Sequence, residues 1–231
     1  MKKTVFCIIA HPDDEAFGPS GTLALLAKNH DVHVICVTDG GSDPRFHKIG
    51  GKKLSTLRVE ELNASARVLG VKHVHMLNYR DGTLSHNLYH EIAEKITVLV
   101  KKHNPSFMIT TELRGISGHL DHVAVAMISS YVFRENRAID AIWYNCTNKN
   151  SSNLMKHYFI FFPEGFDRDD VDLVVDIKKV FLKKVAAARC HKTQIKDALR
   201  VIAKWTISPK EEWFFVEKRR EPISLPTSFI P

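Results

Sequence analysis

The chain has no apolar run of about 18 residues, so no segment of it is built to cross a bilayer as a helix. It is also poor in cysteine. Cys7, Cys36, Cys146 and Cys190 lie far apart and form no C-x-x-C pair, which argues against a thiolate-closed structural zinc site and for reduced thiols in a reducing compartment. The start, Lys2-Lys3 followed by Thr4–Ala10, lacks a small-x-small cleavage site, so it reads as a first buried strand of a cytoplasmic protein and not as a signal peptide. Zinc-finger and RNP signatures are missing too. The formal charge of +7, from 33 Lys and Arg against 26 Asp and Glu, is scattered along the chain in short doublets such as Lys178-Lys179, Lys183-Lys184 and Arg219-Arg220. That pattern implies a solvated basic surface with no nucleic-acid partner, while staying compatible with an acidic small substrate. No repeat, linker or low-complexity stretch breaks the chain, so residues 1–231 are expected to form a single domain with a full core.

What is present is an alternation of apolar strands with helical patterns, the signature of an α/β fold with a largely parallel sheet and helices on both faces. Strands are expected at Thr4–Ala10, Asp31–Thr38, His73–Leu77, Ser106–Thr111, Ala141–Cys146, Tyr158–Phe162 and Trp213–Glu217. Helices are expected near Gly21–Asn29, Leu54–Leu69, Leu88–Lys102 and Leu120–Glu135, and between Ile177 and Trp205. The apolar Tyr158–Phe162 run suits a core or an interface between copies of the chain. In such sheets ligands bind beyond the carboxyl ends of the strands. His11–Glu15, Asp39–Asp43 and Gly115–His122 all follow predicted strands on that rim.

Two of these segments carry the chemistry. In Ile8-Ile9-Ala10-His11-Pro12-Asp13-Asp14-Glu15 an apolar strand ends in one imidazole and three carboxylates, a costly placement that a divalent metal compensates. Gly118-His119-Leu120-Asp121-His122 supplies a partner. A catalytic zinc takes three ligands and leaves one position open. His11 and Asp14 reach one ion from a turn entering a helix, and His122 in the first turn of a later helix is the third. The adjacent Asp13 suits a general base. His119, as an imidazolium, suits an oxyanion stabiliser or proton donor to a leaving amine. Asp121 suits a carboxylate that fixes an imidazole's tautomer. The same ligand types also accept iron or cobalt.

Other positions carry weaker signals. Arg58 falls on the apolar stripe Leu54, Arg58, Leu62, Ala66, Leu69 and needs a buried carboxylate or a polar substrate as partner. Asp81, in Arg80-Asp81-Gly82, either accepts sugar hydroxyls or makes a turn. Asp39 and Asp43 line the site or shape their loop. His191 continues the stripe of Phe181, Val185 and Ala188, as a capped core histidine or a pocket wall. Glu15 has no firm place; it suits a helix N-terminus or a position behind a metal ligand. His30, His33, His47, His73, His75, His86, His90, His103 and His157 share no ligand spacing and read as structural or solvated.

The two main segments together resemble the LmbE/PIG-L zinc-dependent N-deacetylases of N-acetylglucosaminyl substrates. Weaker echoes are Arg58-Val59-Glu60-Glu61-Leu62, Leu69-Gly70-Val71, Arg80-Asp81-Gly82 and His191-Lys192-Thr193-Gln194. The resemblance implies a Rossmann-like fold, although no G-x-G-x-x-G fingerprint follows the first strand. It implies zinc on His11, Asp14 and His122, Asp13 as general base, His119 at the oxyanion, and Arg58 and Asp81 against substrate. Some family members carry a tyrosine at the position of Ser117, which would leave its work to His119 or a mobile side chain. A membrane anchor seen in glycolipid-acting members is missing, so a soluble amino-sugar substrate is expected, a GlcNAc conjugate or chitin-type oligosaccharide, cleaved to free amine and acetate. Two rivals stand beside this: the same site acting on another N-acyl or thiol-conjugate amide, and a non-enzymatic basic nucleic-acid-binding domain.

Overall fold

The computed structural model describes residues 2–43, 45–46, 50–153 and 161–219. Strand β1 (Lys3–Ile9) leads through a one-turn helix α1 (Asp14–Phe17) and helix α2 (Ser20–Leu26) to β2 (His30–Thr38). Helix α3 (Gly51–Leu69), β3 (His73–Tyr79), α4 (Tyr89–His103) and β4 (Pro105–Thr111) follow. The short α5 (Gly115–Gly118), α6 (Leu120–Glu135), β5 (Ala141–Cys146) and α7 (Lys149–Asn153) complete the central part. Last come β6 (Leu173–Asp176), α8 (Phe181–Ala188), α9 (Ile195–Ile207) and β7 (Glu211–Lys218).

The strands form one seven-stranded sheet in the order β3-β2-β1-β4-β5-β7-β6. The first five are parallel, and β7 runs antiparallel to both β5 and β6. Alternation along β1 explains its unbroken apolar character. Phe6 and Ile8 pack with Ile92 and Ile96 of α4 and Ile128 of α6, while Val5, Cys7 and Ile9 pack on the other face with Leu62 and Leu69 of α3. A strand covered on both faces needs apolar residues at every position. Among the described residues no helix is long and apolar enough to cross a membrane.

The expected strands and helices recur; the short helices α5 and α7 are additional, and three expectations differ. The helix expected to reach Asn29 stops at Leu26 and is preceded by the separate turn α1. Strand β6 was not anticipated: its four residues are too few for a period-two pattern, and pairing with β7 defines it. Residues 158–160 of the expected Tyr158–Phe162 strand, with any interface there, lie outside the described residues, and Phe161 and Phe162 are not in a strand.

The chain order places the functional rim. From β1 the chain crosses to β2 on one side, while β4 pairs with β1 on the other. Loops after β1 and β4 therefore diverge and leave a crevice at the carboxyl edge, the topological switch point of an open α/β sheet.

Candidate active site

The crevice opens into a cleft of about 720 Å³ whose wall includes His11, Asp13, Asp14, Arg58, His119 and His122. His122 donates from Nδ1 to the Gly115 carbonyl (3.1 Å). That leaves its Nε2 lone pair facing His11 Nδ1 at 3.0 Å. Asp14 closes the group, with Oδ1 3.3 Å from His122 Nε2 and Oδ2 3.7 Å from His11 Nδ1. The Asp14 carboxylate is itself held by the backbone N–H groups of Ala10 (3.1 Å) and His11 (2.8 Å).

The far side of the His11 ring is equally constrained. Its Nε2 lies 3.1 Å from Asp81 Oδ1 and 3.2 Å from Asp121 Oδ2. Burial opposes protonation of His11, but these two carboxylates outweigh it and raise its pKa to about 10. Burial likewise opposes ionisation of Asp14, yet His122 and His11 hold it below the usual carboxylate range. Nε2–H of His11 and Nδ1–H of His122 are both committed elsewhere, so His11 Nδ1, His122 Nε2 and the Asp14 carboxylate converge on one point. At the raised His11 pKa a proton sits on Nδ1 between the rings, and without it the facing lone pairs would repel. Only a proton or a metal cation placed between them relieves that repulsion, and two imidazoles with one carboxylate are a metal donor set.

Asp13 sits beside this group on strained backbone, at φ 147°, a conformation that persists where surrounding contacts impose it. Arg58 imposes it. Its guanidinium donates to Asp13 Oδ2 (2.7 Å), Pro12 O (2.8 Å) and Gly40 O (2.9 Å). Gly40 is required beneath it, since a Cβ there would come within 2.9 Å of the guanidinium carbon at φ +64°. Burial raises the Asp13 carboxyl to about 6 against the opposing pull of Arg58.

His119 caps α6, its Nδ1 accepting the Asp121 N–H at 3.2 Å. An Nδ1 that accepts carries no proton, so the resting ring is neutral with its proton on Nε2. Burial and the neighbouring His11 and His122 lower its pKa in the same direction. The imidazolium expected from sequence is therefore not the resting form. Asp121 also accepts from Gly82 N (2.7 Å) and Leu84 N (3.1 Å), tying the β3 loop to His11. Ser117 stands on the cleft wall.

The structure thus brings together His11, Asp13, Asp14, His119, Asp121 and His122. Arg58 and Asp81, expected at the substrate, both line the cleft and contact Asp13 and His11 respectively. Asp39 holds the two neighbouring loops, accepting from Gly41 N (3.0 Å) and Asp81 N (3.2 Å). Asp43 pairs with Arg45. A role for Glu15 and His191 also emerges. Both are fully buried, their side chains meet at 2.8 Å, and Glu15 Oε2 accepts the Asp13 N–H at 3.2 Å. The sequence traces of this support were a histidine on an apolar helical stripe, the His191-Lys192-Thr193-Gln194 echo and the place of Glu15 in the carboxylate cluster.

The family model for PIG-L, described as GlcNAc-PI de-N-acetylase, matches residues 6–132, which contain all of these groups but His191. The chain belongs to the PIG-L family. A diacetylchitobiose deacetylase from Thermococcus kodakarensis is 28% identical over 205 residues, covering 84% of this chain and 71% of that protein. A probable N-acetyl-alpha-D-glucosaminyl L-malate deacetylase 2 from Bacillus subtilis is 28% identical over 208 residues, 87% of each chain. Among solved structures, a 4-carboxy-2-hydroxymuconate hydratase from Pseudomonas putida superposes with a TM-score of 0.72 at 16% identity, over 97% of this chain and 100% of that one. At that identity the likeness concerns the fold alone.

Proposed function

We propose that this PIG-L protein, acting as a single 1–231 unit in the cytoplasm, hydrolyses the acetamide of a GlcNAc-containing small molecule to free amine and acetate. The proposed cofactor is one zinc ion on His11, Asp14 and His122. The observation that carries the reading is the pair of imidazole nitrogens facing each other at 3.0 Å and closed by Asp14, with a second carboxylate, Asp13, beside them. A divalent cation in that position supplies Lewis acidity, polarising a carbonyl and acidifying water.

The chain's own residues supply the rest. Arg58 occupies Asp13 Oδ2, so Oδ1 is the oxygen that takes the proton of the attacking water and later passes it to the departing amine. His119, neutral and protonated on Nε2, donates to the oxyanion as charge develops there. Asp121 and Asp81 hold the His11 tautomer. The cleft continues to Arg200, Lys204 and Trp205 on α9, which gives room for a group attached to the sugar and favours a conjugate or oligosaccharide over free GlcNAc.

The test is amine release from GlcNAc, diacetylchitobiose and a GlcNAc–malate conjugate by zinc-loaded protein, chelated protein and Asp13→Asn. Release from at least one conjugate is expected, abolished by chelation and reduced about 10²–10⁴-fold in Asp13→Asn with unchanged zinc content. Stoichiometric zinc without release from any of the three would move the reading to a different amide.

A further inference from the structure

A second group of imidazoles lies at the opposite edge of the sheet. Parallel pairing sets His33 of β2 beside His73 of β3, and Ile35 beside His75, so these side chains share one sheet face. Ile35 belongs to the core layer formed with α4, which identifies that face as the one α4 covers. Helix α4 ends on His103 and turns out through Asn104 in a left-handed conformation at φ 44°. His103 is thereby set over β2, with ring centroids 4.6 Å from His33 and 5.5 Å from His75. His33 lies six residues before Asp39 on the active-site rim, about 20 Å along an extended strand.

The contacts among these rings are close and unbalanced. His33 Nδ1 and His75 Nε2 are 3.2 Å apart. One ring nitrogen from each of His33, His75 and His103 lies within 4.8 Å of the others. His103 Nε2 is buried without a hydrogen-bond partner among the described residues. His33 is 2% exposed and is fixed in place by stacking on Phe6 at 5.6 Å. A fourth imidazole, His73, stands 4.7 Å from His33. Asp31, on the same strand as His33, is engaged by Lys72.

We infer that His33, His75 and His103 form a second divalent transition-metal site, separate from the cleft, with water or His73 completing the coordination. Tetrahedral zinc with bonds of about 2.0–2.1 Å sets its ligand nitrogens about 3.3 Å apart. His33 and His75 already meet that spacing, and His103 reaches it by closing no more than about 1.5 Å. An all-imidazole set selects zinc, copper or nickel over magnesium or calcium. Metal ligation needs neutral imidazole. Burial and mutual repulsion supply it, lowering the pKa of His33 to about 4 and those of His75 and His103 below the ordinary value. The negative end of the α4 dipole favours a cation at this point. Lys72 and Lys102 oppose one, but both are solvent-exposed and therefore screened. A metal here joins the edge strand β3 to β2 and to the end of α4, so its effect is on stability.

The experiment is equilibrium dialysis against Zn2+ followed by metal analysis and thermal denaturation. Four proteins are compared: wild type, the cleft variant His11→Ala/His122→Ala, the edge variant His75→Ala/His103→Ala, and the combined variant. Expected contents are two zinc ions, one, one and none. Zinc at a hundredfold excess over its Kd is expected to raise the Tm of the cleft variant by roughly 5–10 °C and leave the combined variant unmoved. The inference is overturned if the cleft variant binds no zinc. It is equally overturned if the ion it binds survives loss of His75 and His103. Should the alanine pair fail to fold, His75→Gln/His103→Gln keeps side-chain volume and carries the same expectation. The two sites are counted separately, so either can fail without the other.

Discussion

Arg58→Met tests how Asp13 is held. Methionine keeps much of the apolar stem but removes the hydrogen bonds to Asp13 at 2.7 Å, Pro12 at 2.8 Å and Gly40 at 2.9 Å. Arg58 is 5% exposed, and the Asp13 side chain 13%, so solvent screens the pair little. Removing one partner of a buried ion pair costs about 3–5 kcal/mol, because the other charge is stranded. At about 2–4 °C per kcal/mol for a domain of this size, the Tm should fall roughly 6–20 °C. Chemistry changes in a second, separable way. Burial already raises the Asp13 carboxyl to about 6 while Arg58 pulls it down, so losing the guanidinium moves the acid limb of kcat/KM to higher pH. Amine release by the metal-loaded variant, followed from about pH 5.5 to about pH 9, should fall most in acid and recover toward alkali. A raised KM with an unmoved acid limb would refute this reasoning and make Arg58 a substrate contact.

Three further outcomes follow from the same geometry. Asp121→Ala strips the restraint from His11 Nε2 and from the amides of Gly82 and Leu84; a chelator-competition titration should show about 10–100-fold weaker metal binding, and unchanged affinity would mean His11 is oriented by Asp81 alone. His119→Ala should lower kcat about 10²–10³-fold with KM little altered; a loss confined to KM would take His119 away from the oxyanion. Burial opposes protonation of His191, but Glu15 outweighs it and the folded-state pKa stands above 6.5. The stabilisation from that pair is therefore complete below about 6.5 and is lost as pH rises through the folded-state value. Thermal scans of wild type and His191→Gln should converge with rising pH, and parallel curves would show that the pair does not titrate.

The legible parts of this protein are those whose meaning is local. Alternation along β1, the helical stripe through Leu54, Arg58 and Leu69, and the clustering of His11 with Asp14 can each be read within one segment. Each has its place in the structure: Arg58 is buried, and the strand-end residues meet at one rim. What could not be read depends on register between distant segments. Asp81 reads as a sugar contact or a turn residue, and its contact with His11 is created by the neighbouring ends of the β1 and β3 loops, which no local pattern encodes. Glu15 and His191 are 176 residues apart and acquire meaning only when α8 packs behind Asp13. The same holds for His33, His75 and His103, which seemed unrelated at separations that match no ligand motif. Two constraints bring them together, the pairing of β2 with β3 and the length of α4, whose last residue is the third imidazole. A strand register is set by core burial over its whole length, so an imidazole cluster can persist there at no cost to the apolar pattern, and a spacing search along the chain passes over it. Sites of this kind are found by asking which side chains one sheet face collects.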